Sequence, residues 1–107
     1  MKIEVLYFEG CPHHVMATKA VRDTLHSLGR NDEIHQVEIR TPAEAQAMGF
    51  VGSPSIRIDG ADIEPWARAA KTFGLSCRTY SHGSQRGGVP SSEQLRRAIE
   101  ESIRESR

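Results

Sequence analysis

Two strand-like runs, Ile3 to Phe8 and Ile34 to Ile39, flank a single amphipathic helical stretch, and few folds accommodate that succession. Ile3, Val5 and Tyr7 alternate with Glu4 and Leu6, and Phe8 continues the apolar run, which suits a strand buried on most of both faces. From His14 to Leu28 apolar residues recur at Val15, Ala17, Val21, Leu25 and Leu28, in steps mostly of three and four. A helix with one core-facing stripe is therefore expected, closed by Gly29. Strands joined by a crossover helix pair in parallel, so the first third of the chain reads as a βαβ unit.

The remainder adds elements on both sides of that sheet. Thr41 caps a short helix with Pro42 at its first position. Ser53 to Gly60 reads as a third strand, entered through Pro54 and left through an Asp59-Gly60 turn. Between Ala61 and Gly74 a short helix could start at Pro65, with Trp66, Ala69, Ala70 and Phe73 on one face. Leu75 to Tyr80 reads as a fourth strand antiparallel to the third, and His82 to Pro90 as a loop. Ser91 or Ser92 caps a last helix with Leu95, Ile99 and Ile103 on its apolar face. On the other face Arg96, Arg97, Arg104 and Arg107 interleave with Glu93, Glu100, Glu101 and Glu105, the pattern of a solvated face with paired charges. The expected architecture is one α/β domain over residues 1–107, of order β-α-β-α-β-β-α, with a mixed four-stranded sheet and helices on both faces.

Composition narrows the function. Lys plus Arg and Asp plus Glu number 14 each, so no net field favours nucleic acid or an anionic membrane as partner. No apolar run approaches the roughly 20 residues that span a bilayer, and the first ten residues read as a strand and not as a signal sequence. A cytoplasmic chain is expected. Two cysteines make no disulfide framework in a reducing compartment, where a thiol is either packing or chemistry.

The chemistry is expected at Gly10-Cys11-Pro12, a strand-to-helix turn of the kind where α/β sheets place their sites. With Phe8-Glu9-Gly10-Cys11-Pro12-His13-His14 and Gly52-Ser53-Pro54-Ser55, the chain resembles the thioredoxin superfamily. With its Leu75-Ser76-Cys77-Arg78-Thr79-Tyr80 element it is more closely similar to a group of short bacterial thioredoxin-like proteins, some labelled by association with alkylmercury lyases. The resemblance implies a thioredoxin-like fold, Cys11 as nucleophile, and a cis Pro54 facing it. It also implies that the Ser53 backbone offers N–H and C=O groups to an extended thiol ligand, as one more strand. The second motif cysteine of a thioredoxin is replaced by His14, so no disulfide can form within the motif.

From the residues themselves, a helix N-terminus favours the thiolate, and a cationic His13 or His14 would add to that. The function expected is a monothiol thiol–disulfide oxidoreductase or thiol-based redox protein, in which Cys11 attacks a disulfide or oxidised thiol, Ser53 and Pro54 position the ligand, and a small thiol or Cys77 resolves the mixed disulfide. A thiol or disulfide substrate, protein or small molecule, is the expected partner, and no cofactor is called for. Cys77 is harder to assign. If the third and fourth strands meet near Asp59 and Leu75, Cys77 lies near Ile58, about 13 Å from Pro54 at roughly 3.3 Å per residue. That exceeds the Cα separation of about 7 Å that a disulfide tolerates. Tyr80 and His82 would then approach the active end, leaving Cys77 a buried structural thiol. Pairing of Ala61 to Glu64 with the third strand would instead let the later segment fold back over Cys11 and make Cys77 a resolving thiol. The other function in view is a soft-metal or mercurial-binding module using Cys11 and His14, with Cys77 or His82 as further donors.

Overall fold

A computed structural model describes residues 1–82 and 85–105, with His82 described by its backbone alone. Strand β1 (Ile3–Tyr7) is internal to the main sheet, with β2 (Ile34–Glu38) parallel on one side and β3 (Ser55–Ile58) antiparallel on the other. The crossover between β1 and β2 is helix α1 (His14–Ser27). A two-residue strand β4 (Ala61–Asp62) completes a four-stranded mixed sheet of order β2-β1-β3-β4.

Side chains alternate across β1, and each face has its own core. Ile3 and Val5 join Ile56 and Ile58 of β3 beneath α1 and the last helix, α4 (Ser92–Glu105). Leu6 faces the other way, against Ile39, Phe50 and Ala45 of α2 (Pro42–Met48). Helices thus cover both faces, as the pattern of apolar residues requires. The buried face of α1 is Ala17, Thr18, Val21, Thr24 and Leu25. Val15 does not belong to it: two residues before Ala17 is about 200° of helical rotation, and Val15 is exposed. The threonine hydroxyls that fill that face donate back to the His14 and Ala20 carbonyls at 3.0 and 2.7 Å, which lets them be buried.

The expected caps are in place. Thr41 Oγ1 accepts the Glu44 amide at 3.1 Å, with Pro42 at the start of α2 and Gly49 left-handed after it (φ 64°). Ser91 Oγ accepts the Gln94 amide at 3.1 Å. Leu95 and Ile99 of α4 are fully buried, each worth about 1.5–3 kcal/mol of transfer free energy. Arg97 pairs with Glu93 on the outer face at 2.6 Å; Arg107 lies outside the described residues.

The second half of the chain departs from the sequence expectation. Asp59 (φ 52°) and Gly60 (φ 86°) close a two-residue hairpin directly into β4, so Ile58 pairs with Ala61 and Arg57 with Asp62. Both residues have positive φ, the requirement of the tight hairpin turn that an Asp-Gly pair favours. Leu75 to Tyr80 is therefore not the fourth strand beside Ile58. Helix α3 does begin at Pro65 but ends at Arg68, burying Ala67 and leaving Trp66 exposed instead of presenting Trp66, Ala69, Ala70 and Phe73 as one face. A small separate sheet, β5 (Tyr80–His82) antiparallel to β6 (Gln85–Gly87), spans the end of the expected fourth strand and the start of the expected loop; residues 83 and 84 lie outside the described residues. Among the described residues no helix is long and apolar enough to cross a membrane.

Candidate thiol site

Cys11 stands in the turn that leaves β1, with its amide donating to the Phe8 carbonyl at 3.1 Å. Gly10 takes φ 92°, which a side chain would resist, and so permits the sharp exit from the strand. Helix α1 follows, capped by His13 with no side-chain bond to its first amides. Cys11 is buried, at 6% exposure, while Pro12 beside it is exposed.

The two histidines are held by packing. The His14 ring stacks on Tyr7, with centroids 4.1 Å apart and planes 9° from parallel, and its Nδ1 lies 3.3 Å from the Cys11 carbonyl oxygen. His13 is covered from the opposite part of the chain. A Cβ built on Gly88 would overlap the His13 ring, so only glycine lets the backbone after β6 pass this close to the helix start.

On the neighbouring strand, the Ser53–Pro54 bond is cis, as expected. The register that pairs Leu6 with Ser55 brings the exit of β1 and the entrance of β3 to the same end of the sheet. The surprise there is Cys77. Ser53 pairs with Cys77 in a parallel bridge, the Ser53 amide donating to the Ser76 carbonyl at 2.8 Å and the Arg78 amide to the Ser53 carbonyl at 3.0 Å. Cys77 is therefore beside Pro54 and not near Ile58, and it is an exposed free thiol and not a buried one. Neither Ser53 backbone group is left for an added strand, contrary to the sequence expectation. Leu75, just before, lines a shallow depression with Phe8, Glu9 and Arg40, so the segment runs alongside the Cys11 turn. Of the seven residues singled out in the sequence, the fold gathers Cys11, Pro12, His13, His14, Ser53, Pro54 and Cys77 at one end of the sheet.

What the sequence reading missed is how that segment is fastened. Arg78 and Tyr80 alternate inward with Cys77 outward. The Arg78 guanidinium reaches Asp62 through two bonds (2.6 and 2.8 Å), Glu64 at 3.0 Å and Ser55 Oγ at 3.1 Å, and lies over the Trp66 and Tyr80 rings. Burial works against its charge, but the bonds to Asp62 and the field of the carboxylates hold its pKa above the ordinary arginine range. Burial also pushes Glu64 up, yet bonds from Arg78, Gln94 and Trp66 outweigh it and keep the carboxylate below its usual value. Tyr80 donates to the Pro54 carbonyl at 2.6 Å, and burial raises its phenol well above the usual tyrosine value. Gly52, at φ 150°, admits Arg78: an added Cβ would meet the Arg78 Cβ at 2.9 Å.

Among the described residues no group of three or more His, Cys, Asp or Glu side chains is placed to hold a metal ion; the His82 side chain lies outside them. No family model matches the chain, and no curated protein or solved structure matches it.

Proposed function

We propose that this chain is a thioredoxin-like thiol–disulfide oxidoreductase in which Cys11 is the nucleophile and Cys77 resolves. The pairing of Ser53 with Cys77, at the sheet end where the Cys11 turn begins, is the observation that carries the reading. In the first step the Cys11 thiolate attacks one sulfur of a disulfide R–S–S–R, forming Cys11–S–S–R and expelling R–S⁻, which takes a proton from water. In the second, the Cys77 thiolate attacks the Cys11 sulfur and expels the other R–S⁻. Two electrons pass from the two protein thiols to the substrate, leaving a Cys11–Cys77 disulfide and two R–SH; an external thiol reductant reverses the change. With His14 in the position where thioredoxins carry their second cysteine, the resolving thiol is either an added small thiol or Cys77, and the pairing of Cys77 with Ser53 favours Cys77.

Treating the reduced protein with glutathione disulfide, quenching in acid and measuring intact mass tests the reading. The expected product is a monomer lighter by about two hydrogens, with Cys11 and Cys77 in one linked peptide pair. Cys77→Ser should stop at a mixed disulfide on Cys11, and Cys11→Ser should leave Cys77 unmodified on the same timescale. Modification of Cys77 alone in the native protein, with Cys11 inert, would overturn the assignment.

A further inference from the structure

A peptide held beside a thiol is commonly gripped as one more strand, through backbone groups that the sheet leaves unpaired. At this end of the sheet those groups belong to Ser53, and both already bond within the chain, to Ser76 and Arg78. The segment around Cys77 therefore fills the place where an incoming strand would lie. It is not a loose cover. Arg78, at 4% exposure, anchors it to Asp62, Glu64 and Ser55, Tyr80 anchors it to the Pro54 carbonyl, and Gly52 closes against the Arg78 stem. To displace it, a peptide would have to break both Ser53 backbone bonds and draw a buried guanidinium, bonded through both of its terminal nitrogens, away from its carboxylates. Cys11 itself shows only 6% of its surface, so a reagent must reach it with little bulk around the reacting sulfur.

Resting on the oxidoreductase reading above, we infer that the Ser76-Cys77-Arg78 segment is a built-in occupant of the ligand-strand position, and that the substrates of Cys11 are low-molecular-weight disulfides and not extended polypeptides. The chain supplies its own cysteine-bearing strand, and the outside partner is reduced to the two sulfurs and their small substituents.

Single-turnover oxidation of the reduced protein by two probes separates the possibilities. One probe is glutathione disulfide; the other is an unstructured ten-residue peptide dimerised through one central cystine. Each rate is divided by the rate of the same disulfide with free cysteine, which removes intrinsic sulfur reactivity. The expected normalised rate is at least about tenfold higher for the small disulfide, and an equal or faster peptide would overturn the inference. Amide hydrogen exchange supplies a readout independent of the thiols. The Ser53 and Arg78 amides should stay protected when a cysteine-to-serine analogue of the peptide is added in excess, and loss of protection would show that the segment yields to an outside strand. Arg78→Gln should raise the peptide rate relative to the small disulfide, with Tyr80→Phe as the gentler loosening should Arg78→Gln not fold; unchanged selectivity in a folded variant would overturn the role of the fastening. If Cys11 reacts with neither probe, the oxidoreductase reading fails and takes this inference with it, a result distinct from a peptide that reacts well.

Discussion

Ser53 and Ser55 flank the same proline, are equally buried, and should answer truncation in opposite directions. The Ser53 hydroxyl has no partner among the described residues, whereas Ser55 Oγ donates to the Gly52 carbonyl at 2.5 Å and accepts from Arg78 at 3.1 Å. An unpaired buried hydroxyl stabilises nothing, so Ser53→Ala should leave the denaturation midpoint unchanged or raise it by up to about 1 kcal/mol equivalent. Ser55→Ala removes an acceptor from a buried guanidinium and should cost about 1–3 kcal/mol. Urea titrations of the two variants side by side check the contrast, and equal losses would contradict it. His14 gives a second residue-scale expectation. Its ring is stacked on Tyr7 and turned toward the Cys11 carbonyl, so stoichiometric Zn²⁺ should not slow alkylation of Cys11. Protection by Zn²⁺ that His14→Ala relieves would instead support the metal-binding alternative.

Among the elements, the segment from Ser76 to Tyr80 decides how the site is built, and it was the least legible in the sequence. The βαβ unit, both helix caps and the apolar face of α4 follow from local signals that need no distant partner. The Asp59-Gly60 turn also pointed to an immediate hairpin, but Ala61-Asp62 is too short to show any alternation, while Leu75 to Tyr80 looked more like a strand. What holds that segment is pairing at long range: Arg78 with Asp62, Glu64 and Ser55, Tyr80 with Pro54. A buried arginine does not announce its carboxylates along the chain, and the side chains appear as ordinary surface charges until the fold brings them together. Truncating one member of such a cluster strands the others, so Arg78→Met should cost about 3–5 kcal/mol. Arg78→Lys should recover little of that, because a lysine cannot make the two-pronged bond to Asp62 while lying flat over Trp66 and Tyr80. Full recovery by lysine in chemical denaturation would show that charge alone suffices.

Across the whole molecule, stability should form a plateau in pH bounded by two different groups of residues. Glu64 is held below its usual value by its bonds to Arg78, Gln94 and Trp66 against the opposing effect of burial, and Asp32 is held low first by its bonds from Arg30. A carboxylate lowered on folding contributes stability above its ordinary pKa and loses it as acid protonates the folded form, so the midpoint should fall on acidification through the carboxylate range. Tyr80 acts at the other limit. Its phenol is raised by burial, so the folded state keeps a proton that the unfolded chain releases above about pH 10, and stability should decline from there upward. Tyr80→Phe should be less stable at neutral pH yet flatten that alkaline decline, and an alkaline limb that survives unchanged would assign it elsewhere. The bridge between Ser53 and Cys77 also has a meaning in terms of effective concentration. In the unfolded chain Cys77 meets Cys11 at no more than the millimolar level expected of two groups on a flexible tether. Folding fixes Cys77 beside Ser53, so on the proposed resolving role of Cys77 each part of the Arg78 network that resists local opening should also raise the concentration of one thiol as seen by the other. The rate at which the two sulfurs join, followed across a urea gradient below the unfolding transition, is then a gauge of how tightly this one segment is held.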